Sequence, residues 1–142
     1  MLKQLSVFVE NKAGTVCEVA QTLHENDINI CALCIADTAK FGILRMIVND
    51  PDRAVAVLSG AGHPVSLTDV LAVFIDNKPG GMLPVLRLLD SNGIGVEYMY
   101  AFTASDNRAY AILRVEQIEK AKELFAANNI AGAEVKDIIQ GK

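Results

Sequence analysis

Residues 5–35 of this chain are written again as residues 71–101, without a gap. Leu5, Val7, Phe8, Asn11, Lys12, Gly14, Val19, Leu23, Asn26 and Ile28 recur as Leu71, Val73, Phe74, Asn77, Lys78, Gly80, Val85, Leu89, Asn92 and Ile94. Further on, Ile43-Leu44-Arg45 is echoed by Ile112-Leu113-Arg114. Asp52-Arg53-Ala54 is echoed by Glu119-Lys120-Ala121, which implies a shorter connection in the second copy. Self-similarity of this kind means one supersecondary unit used twice. The chain reads as a tandem duplication, with one domain over 1–69 and the other over 70–142.

Each copy has the same order of patterns. Leu5 to Glu10 and Leu71 to Asp76 read as short strands, each followed by a Gly-containing turn. Val16, Val19, Ala20 and Leu23 then repeat at helical spacing, as do Met82, Val85, Leu86 and Leu89. Asn26-Asp27 and Asn92-Gly93 are helix stops. Ile28 to Ile35 and Ile94 to Phe102 are second strands. Polar turns at Asp37 to Lys40 and Ser105 to Asn107 lead into third strands, Gly42 to Val48 and Ala109 to Val115, as hairpins. Asp50-Pro51-Asp52 is a helix-start signal. A helix from Asp52 to Leu58 follows, with Glu116 to Asn128 as its counterpart. Val65 to Val70 and Ala133 to Ile139 close the units as fourth strands. The fold class is α+β: two ferredoxin-like βαββαβ units with antiparallel sheets, closely joined.

Composition matters here for what it excludes. A formal net charge of −4, with basic residues scattered, argues against nucleic acid as a partner. No apolar run reaches the length of a membrane span, so no membrane partner is expected. Three cysteines without a secretory signal fit a reducing, cytoplasmic setting. Half of the residues are hydrophobic, high for so short a chain, and Ile28 to Ile35 is apolar at nearly every position. Helices on one sheet face cannot cover such a strand on both, so association is expected: pairing of the two copies, a homodimer, or both.

The residues that carry a family likeness are the turn after each first strand and the start of each second strand. Asn77-Lys78-Pro79-Gly80-Gly81-Met82 has the form Asn-x-Pro-Gly, and Asp27-Ile28-Asn29-Ile30 opens the second strand of copy one. In this the chain resembles the ACT domain, the amino-acid-sensing module seen on enzymes such as phosphoglycerate dehydrogenase and aspartokinase. The likeness covers nearly the whole chain, twice. It implies a non-catalytic regulatory protein that binds a free amino acid between the first turn of one unit and the second-strand start of its neighbour. The implied ligand-binding residues are Asn77, Lys78, Pro79, Gly80, Gly81 and Met82 with Asn29 and Ile30, and Asn11, Lys12, Ala13 and Gly14 with Gly95 and Val96. Elementary chemistry agrees with that assignment. A glycine lets a ligand approach the backbone, a helix start presents N–H groups to a carboxylate, and an Asn amide suits a zwitterion. The plain alternative is that Asn, Pro and Gly simply make turns.

The copies differ at these positions. Copy two has Gly95 where copy one has Asn29, and copy one has Ala13 where copy two has Pro79. Side-by-side pairing would join Asn77 and Gly80 to Asn29, and Asn11 and Gly14 to Gly95, where no side chain helps. The two sites are therefore expected to be unequal.

Other chemistry is sparse. Cys31 and Cys34, three apart on a strand, point to opposite faces and read as small apolar residues, not as a metal or redox pair. His24 and His63 lack partners nearby in sequence. Tyr98, Met99 and Tyr100 fit an interface or core better than a pocket, and Arg45 and Arg114, at matching places, fit surface ion pairs. No nucleophile motif, nucleotide loop or zinc spacing occurs, so no enzyme activity, cofactor or metal is expected. Two other readings stay open: an interaction subunit of an amino-acid biosynthetic enzyme, resembling the small subunit of acetolactate synthase, and a structural dimer whose turns bind nothing.

Overall fold

A computed structural model describes residues 2–37, 40–103 and 108–140. The chain runs β1 (Leu2–Glu10), α1 (Thr15–Glu25), β2 (Ile30–Asp37), β3 (Phe41–Val48), α2 (Pro51–Gly60) and β4 (Val65–Asp76). It continues with α3 (Leu83–Ser91), β5 (Val96–Thr103), β6 (Arg108–Val115), α4 (Ile118–Ala127) and α5 (Val135–Gln140). The fold is α+β, as two ferredoxin-like units require. The expected turn at Ser105–Asn107, and residues 38 and 39 of the turn at Asp37–Lys40, lie outside the described residues. One compact unit comprises Lys3–Thr68 and the other takes in Leu2 and the chain from Asp69 onward, so the division falls inside β4.

In the first unit β1 pairs antiparallel with β3, and β3 with β2. Leu5, Val7 and Val9 of β1 meet Leu44 and Met46 of β3 on one face, where Val19 and Leu23 of α1 and Ala54 and Leu58 of α2 close the core. Full burial of one such Leu stabilises by about 2 kcal/mol. The helix-start signal before α2 works as expected: the Asp50 carboxylate accepts from the Arg53 N–H at 3.2 Å. The chain then returns to β1, with the Phe8 N–H donating to the Pro64 carbonyl at 3.0 Å.

The second unit repeats this plan with β4, β6 and β5. Leu71 and Val73 meet Ala111 and Leu113 against Val85, Leu89, Ala121 and Phe125. Its last segment departs from expectation. Ala133 to Ile139 is not a fourth strand. The Phe74 N–H does donate to the Ala131 carbonyl, Val73 bridges Gly132 and the Ala133 N–H donates to the Ala72 carbonyl at 2.8 Å, but no strand continues from there and α5 begins at Val135. The reason is local: Asp137 sits three residues after Glu134, and its carboxylate accepts the Glu134 N–H at 2.8 Å, half of a capping box. The short helix buries Ile138, and its Asp137 carbonyl accepts from the Tyr110 hydroxyl at 3.2 Å. Tyr110 lies on the sheet face opposite α3 and α4 and packs against Phe74 and Phe102.

The strand registers correct another reading. Ser6 faces Arg45, and its counterpart Ala72 faces Ile112, so Arg45 matches Ile112 and Ile47 matches Arg114. The shared Ile-Leu-Arg triplet is displaced by two residues from the true equivalence, and the second copy has no shortened connection. Ala54 and Ala121 match directly, and both are fully buried.

Nor does the chain bury both faces of its apolar β2. Leu33 and Ile35 are 51% and 50% exposed, paired with Met46 and Leu44 on the helix side of the sheet. Phe8 and Phe41, on the opposite face, are equally open.

Candidate functional site

The turn after β4 is built by backbone bonds. Lys78 N–H reaches the Asp76 carbonyl at 2.9 Å, Gly81 N–H the Lys78 carbonyl at 2.9 Å, and Leu83 N–H the Gly80 carbonyl at 3.1 Å. Gly80 has φ +80°, which a side chain would resist, and a Cβ on Gly81 would collide with the Asp76 carbonyl. Both glycines are thus demanded by the turn itself. Met82 caps α3 without a side-chain hydrogen bond, so the helix start offers N–H groups that no side chain satisfies. The turn opens onto a groove of about 490 Å3 lined by Asn77, Lys78, Gly80, Gly81, Met82 and Leu83, with Ile75, Asp76, Ala101, Phe102, Thr103 and Ala109. Five of the six expected turn residues line it; Pro79 does not. Asn77 is exposed, and its amide makes no hydrogen bond with the described residues. Lys78 pairs with Asp76 at 3.7 Å, an exposed contact worth little.

The turn after β1 has the same frame. Lys12 N–H reaches the Glu10 carbonyl at 2.8 Å, Gly14 has φ +94°, and α1 starts without a side-chain cap. Asn11 is held through its N–H to the Lys40 carbonyl, and Lys12 pairs with Glu10 at 3.3 Å. Ala13 is exposed.

The second-strand starts are built differently in the two copies. Asn29 exchanges bonds with Asn49: its N–H donates to Asn49 Oδ1 at 3.0 Å, and its carbonyl accepts the Asn49 N–H at 3.2 Å. These two residues share a cavity of about 270 Å3 with His24, Asp27 and Ile28. Sequence spacing did not single out Asn49, twenty residues away. In copy two the Glu116 N–H makes the same bond to Gly95, at 3.3 Å. Ile30 and Val96 are half-buried against their own cores, so they offer backbone more than side chain. Asn29 and Ile30 line none of the groove beside Asn77, and neither do Gly95 and Val96.

The other residues considered serve structure. Cys31 is buried and Cys34 half-buried, neither in a disulfide. Desolvation pushes the Cys34 thiol up, and the Arg45 guanidinium opposes it only in part. Arg114 bonds Glu97 at 3.3 Å and the Asp69 carbonyl at 2.7 Å. Among the described residues no group of three metal-binding side chains occurs, and no helix is long and apolar enough to cross a membrane.

With this geometry in view, residues 1–140 match the family of ACT domain pairs. The chain belongs to that family. Protein BT0572 from Bacteroides thetaiotaomicron, of known crystal structure, is 39% identical with a TM-score of 0.91, over 96% of this chain and 94% of that one. The ligand-free regulatory subunit of aspartate kinase from Thermus thermophilus has a TM-score of 0.64 at 16% identity, over 88% and 91%. The corresponding subunit from Thermus flavus has a TM-score of 0.61 at 17% identity, over 98% and 91%. At such identities the likeness is one of fold. No curated protein matches the chain. The ACT domain pair is a regulatory type of fold.

Proposed function

We propose that this ACT domain pair is a non-catalytic, cytoplasmic regulatory protein that binds a free amino acid at an interface between ACT-like units, with 1–69 and 70–142 as its modules. The observation that carries the reading is the turn Asn77–Met82. It is framed by backbone bonds, leaves the Asn77 amide without a hydrogen bond among the described residues, and opens onto a groove at the start of α3. A ligand carboxylate at a helix start gains about 0.3–2 kcal/mol from the helix dipole. A ligand of about ten heavy atoms reaches micromolar affinity, roughly −8 kcal/mol, within ordinary ligand efficiency. A homodimer accords with the exposed Leu33 and Ile35.

A thermal-shift screen of the common amino acids tests the reading. A bound ligand at a hundredfold excess over its dissociation constant adds about 2.7 kcal/mol. One amino acid or a small related group should raise the melting temperature, and a screen without any shift at millimolar concentration refutes it.

The second reading, an interaction subunit of an amino-acid biosynthetic enzyme, draws on the same exposed side chains and on the fold shared with aspartate kinase regulatory subunits. Co-purification of a biosynthetic enzyme from the native cell, without any amino-acid-dependent stabilisation, would favour it.

A further inference from the structure

A second cavity of copy two, about 450 Å3, opens where the partner of β4 runs out. The Ala133 N–H donates to the Ala72 carbonyl and the Phe74 N–H to the Ala131 carbonyl, at 2.8 and 3.0 Å. One step further the ladder stops, because Asn129 lies in the left-handed region at φ +58°. Strand alternation puts the Asp76 N–H on the same edge as that of Phe74. Neither it nor the Ala131 N–H donates to any described residue, and both residues line the cavity. Arg108, opposite Asp76 in the register, lines it too. Its guanidinium lies 5.4 Å from the centroid of the Phe74 ring and makes no ion pair among the described residues. Ile75, Pro84, Val85 and Ile130 supply an apolar wall. Copy one lacks each of these donors. The same bonding pattern places Pro64 where Ala131 stands, Gly62 where Asn129 stands and Phe41 where Arg108 stands. Proline has no N–H, glycine no side chain and phenylalanine no charge.

We infer that this cavity is a second ligand site of copy two, which takes the carboxylate of a small organic acid with an apolar body. The Arg108 fork matches a carboxylate in two parallel hydrogen bonds, and the Phe74 ring beneath it fixes its plane. The Asp76 and Ala131 N–H groups donate to the same anion, and the exposed Asn129 amide adds a donor at the rim. The hydrocarbon body lies against Ile75, Pro84, Val85 and Ile130. The Asp76 carboxylate pairs with Lys78 at 3.7 Å, which leaves the guanidinium to the ligand. The site is independent of amino-acid binding at the turn, because Asn77, Lys78, Gly80 and Met82 line the other groove and not this cavity.

The test is calorimetry of the full chain with carboxylates from acetate through isovalerate to hexanoate, with their amides and with inorganic phosphate. Wild type is compared with Arg108→Gln, Ala131→Pro and Asn77→Ala. Arg108 is exposed at the first residue of β6, and proline is the residue copy one already carries in the Ala131 slot. Losing a hydrogen bond to a charged group weakens binding about tenfold or more. The expected result is that the longer acids bind wild type more tightly than acetate, and their amides at least tenfold more weakly than the acids. Arg108→Gln and Ala131→Pro should each lower the affinity for the acid by about that factor, whereas Asn77→Ala leaves it unchanged. Absence of binding by every acid at millimolar concentration, equal binding to wild type and Arg108→Gln, or phosphate binding as tightly as the longer acids overturns the site. A loss in Asn77→Ala as large as that in Arg108→Gln assigns the acid to the turn and overturns it as well.

Discussion

Gly81→Ala should be the most damaging single-methyl change in the candidate site. The added Cβ would overlap the Asp76 carbonyl oxygen and lie 3.1 Å from the Lys78 carbonyl oxygen. Both neighbours are backbone, so no side chain can swing aside. Relief requires either pulling Asp76 away from its partner Arg108 at the end of β4 or opening the Gly81–Lys78 hydrogen bond. Overpacking costs about 1–3 kcal/mol, and a lost hydrogen bond about 1 kcal/mol more. Alanine returns about 0.4–1 kcal/mol by restricting the unfolded chain. The net cost is about 2–3 kcal/mol, which lowers a urea midpoint by about 1–2 M at ordinary slopes. Gly14→Ala is the control. Its Cβ would meet nothing within 4 Å, so only the left-handed backbone at φ +94° resists it, at about 1–2 kcal/mol before the same entropic return. Tyrosine fluorescence is a selective assay, because Tyr98, Tyr100 and Tyr110 are all in copy two and the chain has no tryptophan. An unchanged tyrosine midpoint in Gly81→Ala, or a larger loss of stability in Gly14→Ala by far-UV circular dichroism, which sees both copies, would refute the steric argument.

Calorimetry should show Asn77→Ala weakening the dominant amino-acid site at least tenfold and Asn11→Ala affecting it less; the reverse order would overturn the assignment. Leu33→Asp with Ile35→Asp places charges on the exposed edge strand and should convert a dimer into a monomer by light scattering, whereas a monomeric wild type would remove the homodimer from the account. Thiolate is the alkylating species, so Cys34, its thiol pushed up by desolvation, should react more slowly at pH 8 than exposed Cys17 and speed up as the pH rises; mass spectrometry showing Cys34 labelled first would contradict this.

The fold was legible because the duplication doubles every signal. Hydrophobic spacing in α1 and α3, the acidic cap at Asp50 and the Asn-x-x-Gly turns each appear where local chemistry puts them. The fourth strand of copy two was misread because Val135, Ile138 and Ile139 satisfy a strand pattern loosely, while the Glu134–Asp137 cap that favours a helix is a spacing of two acidic residues easily passed over. The Ile-Leu-Arg echo misled for a simpler reason. A shift of two residues keeps every side chain on its own sheet face, so hydrophobic alternation cannot detect it. At the candidate site, the turns were readable as contiguous motifs. Asn49 and Glu116 were not, since each reaches its partner through a strand pairing across about twenty residues. The signal that could have found them is positional: both stand at the end of a third strand, just before the second helix of their copy.

The central claim is that the turns and second-strand starts form the amino-acid site. Its most direct test is a backbone-amide NMR titration of the wild-type chain with the amino acid that most raises the melting temperature. The account predicts saturable shifts concentrated at Asn77–Leu83 and at Asn29–Ile30, with weaker or separately saturating shifts at Asn11–Thr15 and Gly95–Val96. Saturable shifts confined to residues outside these four segments, or no saturable shift at all, would contradict it.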